Sequence, residues 1–173
     1  MIVILRIGHR PGRDERVSTH CGLVSRALGA SSIIYSGEKD EKLIESVKNV
    51  VDKWGGRFYA SYEENYRNVI KTYKKKKYVV IHLTMYGMPL QQQITKLRKC
   101  KNLLIVIGAE KVPPEVYQMA DYNIAVTNQP HSEIAALALL LHEYQKGKEL
   151  NKLFPGAKIK LKPCAKGKSI IEK

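Results

Sequence analysis

Residues Asn102-Leu103-Leu104-Ile105-Val106-Ile107 are apolar without a break after the first, and Gly108 follows. A short continuous apolar run closed by glycine reads as a strand covered on both faces, the habit of parallel sheets. Tyr78–Leu83 has the same character, and a helical pattern at Leu90–Arg98 separates the two. The alternation extends in both directions. Earlier strand candidates fall at Ile2–Ile7, Ser31–Ser36 and Arg57–Ala60, with helices at about Ser18–Leu28, Asp40–Trp54 and Glu63–Tyr73. Lys74–Lys77 reads as a solvated turn. Later come a short helix, Pro114–Ala120, a strand, Tyr122–Thr127, and a strongly apolar helix, His131–Gln145. Strands separated by helices make βαβ units, so the chain is expected to form an α/β fold around a mostly parallel sheet.

Composition narrows the function. The chain has 173 residues, with 30 Lys and Arg against 16 Asp and Glu, a formal net charge of +14. That length suits one domain. Hydrophobic residues make up 44 % of the chain, so disorder is not expected despite the charge. No stretch approaches the roughly 18 apolar residues of a spanning helix. Met1–Leu5 is apolar, but Arg6 interrupts it, and it reads as a strand and not a signal peptide. Cys21, Cys100 and Cys164 form no Cys-x-x-Cys pair, which suits a reducing cytoplasm and not a disulfide or zinc framework. The excess positive charge calls for a polyanionic partner, with nucleic acid ahead of an anionic membrane because no basic amphipathic helix stands out. Heat adaptation is the bland alternative, but lysine far outnumbers glutamate, so ion pairs cannot absorb the excess.

Ligands of open α/β sheets bind beyond the carboxyl ends of the strands. Three loops there stand out: Leu83-Thr84-Met85-Tyr86-Gly87, Gly108-Ala109-Glu110-Lys111-Val112-Pro113 and Thr127-Asn128-Gln129-Pro130-His131-Ser132-Glu133. Each alone is an ordinary turn; three on one side of a sheet make a pocket. Ser132 and Glu133 open a helix, where backbone donors are unsatisfied. No phosphate-loop, dinucleotide or nucleophile-elbow motif competes. His9, His20, His82, His131 and His142 lack metal-ligand spacing, so no metal is expected. His82 lies in an apolar strand and reads as a satisfied core residue, and His142 as a surface one. A further segment, His9 to Arg16, carries Arg10, Arg13 and Arg16 at intervals of three and leads toward His20. Arginine binds phosphate bidentately, so this segment is a candidate RNA contact, with Arg10 and Arg13 foremost.

Several of these blocks, in order, resemble the archaeal tRNA (cytidine-56-2′-O)-methyltransferases of the SPOUT superfamily. They are Leu5–Pro11 with Arg13, Asp14, Arg16, Thr19 and His20, then His82–Gly87, Ile107–Pro113, Ala120–Ala125, and Asn128–Glu133 with Ala135–Ala138. The likeness runs from residue 1 to about 162. It implies a Rossmann-like sheet in one domain, residues 1–173, with a deep trefoil knot within about 80–150. It implies S-adenosylmethionine bound by Leu83, by Gly108, Ala109, Glu110, Lys111 and Val112, and by Val126, Thr127, Asn128, Gln129, Pro130, His131, Ser132 and Glu133. It also implies a homodimer and methylation of the ribose 2′-hydroxyl of a tRNA T-loop cytidine. Related 2′-O-methyltransferases carry an Asn and an Arg in the first βα segment, and Leu23 falls near that Arg here. Arg16 is therefore the foremost catalytic candidate, with Arg13 and His20 beside it. A side-chain pKa above about 12 suits Arg16 to orienting phosphate or stabilising an alkoxide rather than to taking a proton.

Two other readings remain at this level: a non-catalytic RNA-binding protein, and a relative acting on ribosomal RNA. The tail Ala157–Ile171 alternates apolar and basic residues and is expected to add a lysine-guarded edge strand, some of its lysines touching RNA. The positive charge is expected around Arg10–Arg16 and the dimer cleft and not evenly over the surface.

Overall fold

The computed structural model describes residues 1–108 and 111–172. Six strands form one sheet: β1 (Ile2–His9), β2 (Ser32–Gly37), β3 (Tyr59–Tyr62), β4 (Val79–Pro89), β5 (Leu103–Gly108) and β6 (Tyr122–Ala125). Their order is β3-β2-β1-β5-β4-β6, and every pairing is parallel. Helices α1 (Glu15–Ala27), α2 (Glu41–Trp54), α3 (Tyr66–Lys75), α4 (Leu90–Leu97), α5 (Pro114–Met119) and α6 (Glu133–Gln145) connect them. The expected α/β class therefore holds.

Alternation along the strands builds two cores. Ile2 and Ile4 face one side with Leu103, Ile105, Ile107 and the inner faces of α1, α2, α4 and α6. Val3, Leu5 and Ile7 face the other with Leu104, Val106 and side chains of α3 and α5. Both faces being covered explains why the central strands are apolar throughout. The chain steps outward from β1 to β3, crosses to β4, and returns to place β5 beside β1. The order reverses at β1 and β5, so their carboxyl ends are where a crevice is expected.

Several boundaries differ from the sequence reading, each for a local reason. Helix α1 starts at Glu15, a turn early, because the Asp14 carbonyl accepts the Ser18 N–H at 2.8 Å. Helix α3 starts at Tyr66 because the Asn65 side chain caps it, accepting from the N–H groups of Arg67 and Asn68. It then continues through Lys75, so only Lys76 and Lys77 form the turn, the latter at a φ of 62°. Strand β3 lies two residues later than expected and β6 ends at Ala125.

The largest departure concerns β4. Leu83 pairs with Ile124, and so does Met88, so residues 84–87 bulge outward before the strand resumes. The expected loop is thus a bulge inside a longer strand. The tail is a second correction. Ile159–Leu161 (β7) and Ile170–Glu172 (β8) pair antiparallel with each other and add no edge to the main sheet. Gly167, at a φ of 91°, lets the chain turn back on itself, so the tail's backbone groups find partners within the tail. Among the described residues no helix is long and apolar enough to cross a membrane.

Candidate functional site

Two crevices open beyond the carboxyl ends of the strands and share Gly108, Lys111 and Val112 as a common wall. The larger, about 580 Å³, lies over β4 and β5. Its apolar surface comes from Leu83, Ile107, Val112, Pro114, Pro130 and Ala136, with Thr84, Met85, Tyr86 and Tyr117 at one side and His131 and Glu133 at the other. The smaller, about 460 Å³, lies over β1, β2 and β5, between Ile7, Gly8, His9 and Arg10 on one side and Glu38, Glu64 and Tyr66 on the other. Both volumes suit small-molecule sites, which span about 300–1,000 Å³.

A chain of hydrogen bonds sets one polar group in the larger crevice. Asn123 donates through Nδ2 to the Tyr117 carbonyl at 2.9 Å, which turns its Oδ1 toward His82 Nδ1, also 2.9 Å away. His82 Nδ1 must then carry the proton, leaving Nε2 a bare acceptor. Nε2 is buried and has no partner among the described residues. The Tyr117 ring packs edge-on against the imidazole, and the Tyr117 hydroxyl lies 3.1 Å from Thr84 Oγ1. Burial lowers the His82 pKa below its ordinary 6.5, against the smaller opposing effect of Asn123. His82 is a core residue as expected, but one with an unsatisfied acceptor.

The sign of that shift gives a test. Below pH 6.5 the unfolded chain gains a proton that buried His82 refuses, so stability falls as pH drops toward the folded pKa. The contribution is at most about 1.4 kcal/mol per pH unit. Urea unfolding of His82→Gln at pH 7.5 and 5.5 should show a shallower loss than the parent. Equal losses would remove His82 as the cause.

The opposite wall holds a buried ion pair. Arg6 of β1, 1 % exposed, donates through Nη2 to Glu133 Oε1 at 2.8 Å. The Ser132 hydroxyl caps α6 by accepting the Ile134 N–H, which fixes the helix start that carries Glu133. Cys21 lies against the same carboxylate, and burial pushes its thiol up to about 12. The third loop braces the β4 bulge: Asn128 donates through Nδ2 to the carbonyls of Met85, at 2.6 Å, and Gly87, at 3.2 Å.

Of the residues singled out from sequence, Leu83, Gly108, Lys111, Val112, Pro130, His131 and Glu133 line the larger crevice. Val126 packs against the core, and Thr127, Asn128, Gln129 and Ser132 frame the loop without lining it. Ala109 and Glu110 lie outside the described residues. Arg10 lines the smaller crevice and grips Asp14 with Nε at 2.9 Å and Nη2 at 3.2 Å. That pairing holds the Asp14 carboxyl below its usual range. Arg13, Arg16 and His20 are exposed at the start of α1 and line neither crevice. His142 is about half exposed and bonds Glu149 Oε1 at 2.6 Å. Sequence reasoning missed Arg6, Tyr117 and Ala136. A lone arginine inside the apolar run Ile2–Ile7 was the signal for Arg6, since a buried cation needs a partner.

Comparison with known proteins adds kinship to this geometry. A family model described as tRNA ribose 2′-O-methyltransferase, aTrm56, matches residues 54–171. A Pyrococcus horikoshii protein named tRNA (cytidine(56)-2′-O)-methyltransferase is 52 % identical, over 99 % of this chain and 85 % of its own. One of the same name from Methanoregula boonei is 51 % identical, over 99 % and 97 %. Among solved structures, the A. aeolicus TrmH/SpoU tRNA modifying enzyme aligns with a TM-score of 0.64 at 17 % identity, covering 86 % of this chain and 75 % of that one. The SpoU methyltransferase AviRb from Streptomyces viridochromogenes, solved in complex with the cofactor AdoMet, aligns at 0.62 and 15 %, covering 84 % and 57 %. At such identities these last two likenesses concern the fold.

Proposed function

The chain belongs to the aTrm56 family of tRNA ribose 2′-O-methyltransferases, with a SPOUT fold, and from that premise we infer its reaction: methylation of the 2′-hydroxyl of the cytidine at position 56 of tRNA. The near-full-length kinship carries this reading. We further propose that S-adenosylmethionine occupies the larger crevice. The residues present fit that molecule. Leu83, Ile107, Val112 and Ala136 offer apolar surface for a purine, with His82 beside them. Gly108 has no room for a Cβ, which would overlap the Val112 side chain, so its bare backbone forms the floor. Gly108, Lys111 and Val112 would hold the molecule from one side, and Pro130, His131 and the backbone of Glu133 from the other. Val126, Thr127, Asn128, Gln129 and Ser132 would set the loop's shape, with Ala109 and Glu110 completing the family's segment. Once bound, this cofactor supplies an already activated methyl group.

The chain's own task is then to bind RNA, place one ribose and handle one proton. Arg10 and Arg13 are assigned to phosphates of the RNA. Arg16, with Arg13 and His20, is assigned to orienting the backbone at the target and stabilising developing negative charge, a role open to a permanently charged side chain on an exposed helix face. We also propose a cytoplasmic homodimer formed through α6, whose exposed face carries Ala135 and Leu139, the latter 51 % exposed. A knot within residues 80–150 completes the proposal. The family kinship supports it.

Calorimetry without RNA should show stoichiometric S-adenosylmethionine binding, and labelled methyl should appear on tRNA but not on tRNA carrying a 2′-deoxycytidine at position 56. Cofactor binding without transfer, or transfer to ribosomal RNA alone, would overturn the reading. The +14 charge sets a further expectation. Each phosphate neutralised contributes a slope of about −0.9 or less steep in log affinity against log salt. With several contacts, tRNA affinity should fall more than tenfold between 50 and 200 mM salt, on the order expected for phosphate-dominated binding. Cofactor affinity should hardly move. A salt-insensitive tRNA affinity would return heat adaptation as the reason for the charge.

A further inference from the structure

Glu133 opens α6 at the rim of the larger crevice, and Arg6 lies beneath it in the sheet. The Arg6 guanidinium is enclosed: Nη2 holds Glu133 Oε1, while Nε and Nη1 are buried without partners. The Glu133 side chain is 19 % exposed, and its Oε2 makes no hydrogen bond among the described residues. The carboxylate therefore has one oxygen locked in the protein and one left for the crevice. A buried ion pair of this kind gains little in stability over apolar side chains of the same size. What it does provide is a carboxylate held in a single orientation at the rim of the crevice. Burial raises the Glu133 pKa against the smaller opposing effect of Arg6. A carboxylate so placed accepts a proton more readily than one on the surface.

We propose that Glu133 is the general base of the methyl transfer, its Oε2 taking the proton of the target ribose 2′-hydroxyl, with Arg6 as its positioning residue. The proposal rests on the methyl-transfer reading above. In the step, the ribose O–H bond breaks and its proton goes to Glu133. The oxygen's electron pair forms the new bond to the methyl carbon, and the electron pair of the breaking carbon–sulfur bond stays on sulfur. Glu133 then releases its proton to water. Arg16 does not compete for this role, because it lines neither crevice. The exposed arginines keep their assignment to the RNA backbone.

Single-turnover methylation by Glu133→Gln tests the proposal. The rate should fall about 10²- to 10⁴-fold, the usual span of general base catalysis. S-Adenosylmethionine affinity, measured by calorimetry, should stay within about threefold of the parent. The parent's rate should rise with pH to a plateau as one carboxyl ionises, and that rise should vanish in Glu133→Gln. NMR of the cofactor-free protein carrying carboxyl-labelled glutamate should show one carboxyl titrating above the ordinary range and missing from Glu133→Gln. Should Glu133→Gln fold poorly, Arg6→Met/Glu133→Gln removes the stranded cation and should show the same rate loss. A rate within threefold of the parent overturns the proposal, as does a loss explained by weaker cofactor binding. A collapse of the preference for S-adenosylmethionine over S-adenosylhomocysteine also overturns it, by making Glu133 a partner of the sulfonium. If the parent itself methylates no tRNA, the underlying reading fails instead.

Discussion

Arg6→Met is expected to lower stability by about 3–5 kcal/mol, the cost of breaking a buried ion pair by removing one partner. The penalty comes from Glu133 and not from lost packing, since methionine retains most of the arginine stem's apolar volume. With Arg6 gone, the carboxylate keeps its burial and loses the charge that offsets it. Its folded pKa then rises further above the unfolded value. A group with a raised folded pKa favours the folded state at low pH and loses that stability as pH rises through it. The gap between Arg6→Met and the parent should therefore widen from pH 4.5 upward. Removing both charges should recover most of the loss, so that Arg6→Met/Glu133→Gln is more stable at neutral pH than Arg6→Met alone. Urea unfolding of the parent, both single variants and the double variant closes the cycle. Additive single effects would show that the two side chains do not act as a pair.

The second large effect is expected at Gly87. An alanine Cβ there would lie 2.5 Å from the Ile124 nitrogen and 2.6 Å from the Asn123 carbonyl, both backbone atoms of β6. Strand backbone paired in a parallel sheet cannot step aside as a side-chain tip can. Gly87→Ala should cost about 3 kcal/mol, the upper part of the range for overpacked sites. It should also loosen the 84–87 bulge that Asn128 braces, and so weaken S-adenosylmethionine binding at least tenfold. Gly12→Ala is the control. Gly12 has a φ of 78° but nothing within 4 Å of its missing Cβ. Strain alone applies there, at about 1 kcal/mol, with cofactor affinity unchanged. Thermal unfolding and calorimetry on the two variants separate close packing from backbone strain. Equal losses would show that conformation, and not contact with β6, makes Gly87 necessary.

The three loops picked out in the sequence do converge, but by different means. Gly108, Lys111 and Val112, and Pro130, His131 and Glu133, line the crevice, as their positions after strands suggested. Asn128 contributes bracing, because its amide reaches carbonyls 41 and 43 residues away. The loop expected at Leu83–Gly87 became a bulge, since β4 had a second pairing available beyond it at Met88 and Pro89. Periodicity sees only local alternation and cannot register such a return. The alternating tail failed likewise: the pattern announced strand, but which edge it would join depended on a turn near Gly167.

Residue order alone determined the class of fold, the parallel sheet, the end of the sheet where the crevices open and the polyanionic partner. These follow from apolar run length, turn residues and net charge, all of which are local or additive. Only the tertiary structure decided that Arg6 meets Glu133, 127 residues away, and that His82 keeps a buried ring nitrogen without a partner among the described residues. Only it set Arg13 and Arg16 away from the lining of either crevice. Burial and pairing are properties of the packed chain: a charge or a lone pair acquires its chemistry from whatever the fold sets against it and from how much water the fold removes.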